Sequence, residues 1–208
     1  MDQPNSAVFP DASRVTEALL GLLSRIPSSQ ETAQSLPEAR AREVAKAAAM
    51  RAAAISGALA LPPGPLGLTT VLPDLLAIWR LQQGMVADIA AVYGKSASLR
   101  REAMIYCLFK HGGAALVRDL VSRVGERIVI KQTTVAFIQK VLQKVGVQVT
   151  EKMISKAVSR WVPLVGAVGM GAYAYYDTNQ VAATAIELFS SDLDSLAEPD
   201  ETSSTVSG

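Results

Sequence analysis

Reactive and metal-binding side chains are scarce in this chain of 208 residues: it has one cysteine, one histidine and an aromatic content of 5%. A lone Cys107 excludes an intrachain disulfide framework and a cysteine-based metal site, and a reducing compartment is the simplest setting. With His111 as the single imidazole, metal ligation also fails on ligand count. Cys107 and His111 could share a helical face, but no neighbouring residue is placed to orient the base, so nucleophilic catalysis is not expected. Gly94-Lys95-Ser96 has the ending of a phosphate-cradling loop but lacks the upstream glycine and preceding strand, and no dinucleotide fingerprint is present. The opening MDQPNSAVFPDASR carries two acids, two prolines and no apolar run of signal-peptide length, so a cytoplasmic protein is expected. The expectation from these absences is a protein that is not an enzyme, needs no cofactor or metal and binds no nucleic acid.

What is there is apolar and small. Half of the residues are hydrophobic, dominated by Ala, Val and Leu, a composition suited to close helix-on-helix packing. Charge is unevenly placed: between Lys95 and Arg160 there are 13 Lys/Arg against 4 Asp/Glu, whereas from Asp177 onward there are seven acids and no bases. Such a basic middle can attract anionic headgroups, though a solvated face is the commoner meaning of a charge run.

Hydrophobic periodicity predicts an all-α, multi-helix bundle with no strand of consequence. Val15, Leu19, Leu20, Leu22, Leu23 and Ile26 give a short amphipathic helix over 11–26, stopped by Pro27. Pro37 opens a second helix, with Glu38 in its first turn, that runs to the Pro62-Pro63-Gly64-Pro65 break. A third runs from about Thr70 or Pro73 to Tyr93, with Gly94 as its stop. Ser98 is placed to cap a segment reaching Gly125, with Arg101 and Glu102 in its first turn. Two basic amphipathic helices follow. The first sets Ile138, Val141, Leu142 and Val145 against Lys140 and Lys144; the second sets Met153, Ile154, Ala157, Val158 and Trp161 against Lys152, Lys156 and Arg160. A last helix spans 163–189. The expected organisation is an N-terminal helix and linker over 1–36, a helical domain over 37–190 and an acidic disordered tail over 191–208, with the first few residues disordered as well.

Two apolar segments carry the functional signal. From Ala52 to Pro73 no residue is charged, the length of a bilayer span, but the prolines in the middle make two half-length arms rather than one helix. Between Trp161 and Ile186 the single charge is Asp177, beside Asn179 and Gln180. A buried acid there would require a partner such as Arg80 or Arg51, whereas one that surfaces beside the two amides requires none. Asp74 and Asp88 lie on nearly one face of the third helix. They could form a paired-carboxylate site with Arg80 or His111, or Asp74 could simply satisfy first-turn amides. Gly166, Gly169 and Gly171 would allow close helix packing in lipid or in a soluble bundle.

The stretches LPPGPLGLTTVLPDLLAIWRLQQGMVADIAAVYGK (61–95) and RWVPLVGAVGMGAYAYYDTNQVAATAIELF (160–189) resemble the EcsC protein family. The features shared are an acid after a Pro/Gly-rich apolar break, a Tyr-Gly ending and a Pro-Leu-Val-Gly-Ala helix entry. That family is named for a protein encoded beside an ABC transporter, and no catalytic residues are carried over from it. The resemblance implies a bacterial, membrane-associated accessory role. Two expectations follow. In one, the apolar hairpins and Lys131, Lys140, Lys144, Lys152, Lys156 and Arg160 dock the protein on the anionic inner membrane, peripherally or partly embedded. In the other, a soluble bundle binds a protein partner, an ABC transporter or GTPase, through an apolar groove. Homo-oligomerisation is compatible with both.

Overall fold

A computed structural model describes residues 12–59, 71–112, 115–124, 127–157 and 163–191. Seven helical segments are described: α1 (Ala12–Leu22), α2 (Pro37–Leu59), α3 (Val71–Val92), α4 (Arg101–Phe109), the one-turn α5 (Ala115–Arg118), α6 (Val135–Ala157) and α7 (Pro163–Ser190). The expected all-α bundle is what folds. The departure is a small antiparallel hairpin, β1 (Val121–Val124) with β2 (Arg127–Ile130), in the register Val121↔Ile130 and Val124↔Arg127.

Helix α2 starts at Pro37, whose fixed φ suits a first helical position and whose missing amide proton is no loss there. Its buried residues are all alanines: Ala41, Ala45, Ala48, Ala49 and Ala52. A ridge of methyls adds little apolar area per residue, but it lets backbones approach closely, and α7 packs along α2 more extensively than any other pair of elements. A β-carbon on Gly171 would stand 3.0 Å from the Ala53 carbonyl oxygen.

Helix α3 lies at the centre and contacts α1, α2, α4 and α7. Its stretch Leu75–Val92 is apolar and long enough to cross a membrane, yet 61% of it is buried inside the fold, which is how a core helix behaves. It ends at Gly94, where φ is +71°. The Gly94 amide bonds the Ala91 oxygen at 2.8 Å and the Lys95 amide bonds the Ala90 oxygen at 2.7 Å, so a left-handed glycine satisfies the last carbonyls in a Schellman closure. The Gln34 amide then donates to the Val92 oxygen at 3.0 Å, so α2 begins where α3 ends and the two run antiparallel. Gln82 on α3 reaches Thr178 on α7, while Ile78 packs with Ala174, so α3 and α7 run parallel. The C-terminal end of α2 and the N-terminal ends of α3 and α7 therefore share one end of the bundle.

The capping expected of Ser98 does not form. Ser98 sits in a short 3-10 turn (Ser96–Ser98), Leu99 is buried behind it, and α4 starts at Arg101 with Arg100 as an extended N-cap that makes no side-chain bond. Glu102 faces the other way and accepts from the Thr133 amide and hydroxyl at 3.4 and 3.3 Å. Every residue from Ala103 to Phe109 is buried, making α4 a core helix, with Phe109 edge-on to Trp79 at 5.5 Å between ring centroids. The segment expected to run from Ser98 to Gly125 is divided into α4, a 3-10 turn, α5 and β1.

Through Ala157 the two basic helices are one, α6, which continues through Gly146, and Val158 and Trp161 are outside the described residues. That glycine is a contact rather than a break: a β-carbon there would meet Thr16 Oγ1 at 2.5 Å and the Ala12 oxygen at 3.0 Å, because α1 lies against α6. Val15, Leu19 and Leu23 belong to the same core as α3 and α4. The carbonyls at the end of α1 are bonded from other elements, Leu22 and Arg25 by Gln83 Nε2 at 3.1 and 3.0 Å and Leu23 by Arg101 Nε at 3.1 Å.

Candidate functional site

Two features converge on α7: a polar seam where it meets α3 and α4, and an exposed face without charge. The seam is built at helical spacing, Asp177, Thr184, Glu187 and Ser191 each finding a partner from an element far away in sequence. Gln82 Nε2 donates to Asp177 Oδ2 at 2.8 Å and to Thr178 Oγ1 at 3.2 Å. Gln82 is fully buried, and its Oε1 has no hydrogen-bond partner among the described residues. His111 Nε2 lies 2.5 Å from Thr184 Oγ1, which gives its own proton to the Gln180 carbonyl at 3.0 Å, so the imidazole is the donor of that pair. Lys110 Nζ pairs with Glu187 at 2.7 Å and lies 5.4 Å from the Tyr106 ring centroid. Lys95 Nζ donates to the Ser191 oxygen at 3.3 Å.

A base was required of Asp177 only if it were buried; it is half-buried, and the structure supplies an amide. Asp177 is only partly buried, so Gln82 suffices where full burial would have required a cation, and Arg80 and Arg51 are both exposed. Asn179 and Gln180 bond within their own helix, to the Tyr175 oxygen at 2.9 Å and to the Tyr176 hydroxyl at 2.8 Å. The paired-carboxylate reading of α3 fails on distance. Asp74, in the first turn, and Asp88 are separated by fourteen residues of helix, about 21 Å. Asp88 accepts from Ser29 Oγ at 2.6 Å, and that oxygen also receives the Glu31 amide at 2.9 Å, so Asp88 holds the α1–α2 linker in place. The side chain of Asp74 is outside the described residues.

Cys107 and His111 do not form a pair of reactive groups. Cys107 is fully buried in the core, and burial pushes its thiol far above the ordinary range, whereas His111 lies at the surface against α7. Burial, and then the neighbouring Lys110, lower the His111 pKa, against opposing contributions from the Gln180 carbonyl, Asp177 and Glu187. No group of three or more His, Cys, Asp or Glu suited to a metal ion occurs among the described residues.

Of the basic residues, Lys131, Lys140 and Lys144 are exposed. Lys152 and Lys156 lie on α6 with side chains outside the described residues, and Arg160 is outside them altogether. The glycines divide. Gly171 is the close contact with α2, whereas Gly169, expected to pack closely, does not, since nothing lies within 4 Å of a β-carbon placed there. The surroundings of Gly166, on α7, are outside the described residues.

The uncharged face emerges at the shared end of the bundle. On α2 no charge follows Arg51, and on α7 none precedes Asp177; on α3 the only charge before Arg80 is Asp74. Val168 (71% exposed), Tyr173, Tyr175 and Tyr176 (62%) stand out from α7. The core thins there to a satellite cluster of Ala52, Ile78 and Ala174. The opposite end carries Glu38, Arg40, Arg42 and Glu43 on α2, with Lys95, Lys110 and Glu187. Sequence alone marks both apolar segments but not that they meet at one end, which follows from α3 and α7 being parallel. Compared with models of known protein families, with curated proteins and with solved structures, the chain matches none.

Proposed function

We propose that this protein is a non-enzymatic membrane-associated accessory module that docks on an anionic inner-membrane surface. The observation that carries the reading is the polarity along the bundle axis, with one end of α2, α3 and α7 bare of charge save Asp74 and the other densely charged. An exposed face of Val168, Tyr173, Tyr175 and Tyr176 is of the kind that seeks a partner phase rather than water. Residues 60–70, which join α2 to α3, carry no charge either. Insertion of that end fits the half-length arms better than a span does, because α3 is enclosed by its neighbours. The resemblance to the EcsC family points to the same accessory role beside a membrane transporter.

The test is co-sedimentation of the detergent-free protein with anionic and neutral vesicles at low and high salt. Sedimentation with anionic vesicles is the expected result. Recovery wholly in the supernatant under every condition would sink the reading and favour a soluble bundle that takes a protein partner through the same face.

A further inference from the structure

Three helices bring their border residues to one height. Ala52, Ile78 and Ala174 pack together across α2, α3 and α7, and so define a layer of the bundle. Arg51 precedes Ala52 on the antiparallel helix, Arg80 follows Ile78, and Tyr175 and Tyr176 follow Ala174, so all four backbones lie within about 3 Å of that layer on its charged side. All four residues are exposed. The Tyr176 hydroxyl accepts from Gln180 at 2.8 Å, one turn toward the charged end, so the ring keeps its oxygen on the polar side.

We propose, building on the membrane reading above, that Arg51, Arg80, Tyr175 and Tyr176 form a girdle at the headgroup level of an anionic leaflet. The arginines contact lipid phosphates there, and the uncharged helix ends pass beneath. Charge complementarity supports it: two cations on separate helices share one height, beyond which Asp74 is the only charge on α2, α3 or α7. The dimensions agree. Beyond the girdle α7 extends about 18 Å, α3 about 14 Å and α2 about 12 Å, against about 15 Å for half of a hydrocarbon core, enough to enter one leaflet and not to cross two. Arginine supplies planar, multiple donors to phosphate, and tyrosine rings favour this depth. The proposal assigns headgroup contact to Arg51 and Arg80 rather than to the exposed lysines of α6.

The experiment uses the full chain with mixed phosphatidylglycerol–phosphatidylcholine vesicles. Arg51→Ala and Arg80→Ala are each expected to weaken partitioning roughly fivefold, and Lys140→Ala with Lys144→Ala to change it less than twofold. An environment-sensitive fluorophore is placed on Val168→Cys or on Lys144→Cys, the buried Cys107 being left unlabelled in the folded protein. A blue shift on vesicle binding at position 168 and none at 144 is expected. Because every substituted residue is exposed, unchanged helicity and melting serve as the folding check. Binding that persists without a shift at 168, or that falls with the lysine variants and not the arginine ones, overturns the girdle and leaves membrane docking standing. Absence of native binding to any vesicle overturns both.

Discussion

At Gly94, φ is +71° and a β-carbon would meet the Ala33 methyl at 3.4 Å, so Gly94→Ala is expected to cost about 1–2 kcal/mol by forcing an L-residue into the left-handed region. Gly84 is the opposite case: it sits mid-helix in α3 with nothing within 4 Å, and Gly84→Ala should stabilise by up to about 1 kcal/mol. Denaturant melts of the two variants check both signs. At His111 the folded pKa lies below that of the unfolded chain, so the unfolded chain binds more protons in the window beneath the unfolded value. The contribution is complete above about pH 6.5 and lost as pH falls below it. Melting temperature should therefore drop on going from neutral to mildly acidic pH, and less so in His111→Gln. A wild type and variant with identical pH profiles would contradict this assignment. Residues of this kind were unevenly legible. Gly94 declared itself, because positive φ is a demand of the backbone alone. His111–Thr184 and Gln82–Asp177 stayed hidden, because partners 73 and 95 positions apart meet only through tertiary packing.

Elements whose limits are set by backbone chemistry came through intact: α2 from Pro37, α3 up to Gly94 and α7 from Pro163. Elements set by packing did not. Ser98 has the side chain of a cap, but burial of Leu99 moved the helix start past it. The sequence VSRVGERIVI has β-branched residues on both sides of a Gly-X pair, a hairpin composition whose runs are too short to stand out against the helical periodicity around them. An isolated hairpin is marginal, and this one is anchored by buried Ile128 and by the Lys131 amide bonding the Leu120 oxygen at 2.8 Å. Helix α1 offers an element-level test. Its terminal carbonyls depend on Gln83 and Arg101, so the double replacement Gln83→Ala and Arg101→Ala should cost about 1–3 kcal/mol and raise amide exchange in α1 ahead of α3. Uniform exchange across both helices would mean that α1 is held by its apolar face alone.

For the molecule as a whole, the sequence held the two uncharged segments but not their meeting point, since parallel α3 and α7 cannot be read from local pattern. Asp74 makes that polarity testable, being the lone charge on these helices beyond the level of Arg51 and Arg80. If that end enters lipid, Asp74→Asn removes a carboxylate from an unfavourable phase and vesicle partitioning should rise several-fold. Weaker partitioning would mean that the acid serves the bound state. The charged end and the main core, which draws on α1, α2, α3, α4, α6 and α7, should respond little to the same change.

Cys107 lies inside that core with its thiol held neutral and out of reach. An opening that parts the central helices is needed to expose it, because every residue of α4 from Ala103 to Phe109 is buried. The rate at which an alkylating reagent consumes this one sulfur is therefore a clock for the rarest, global fluctuation of the protein, insensitive to fraying of its ends.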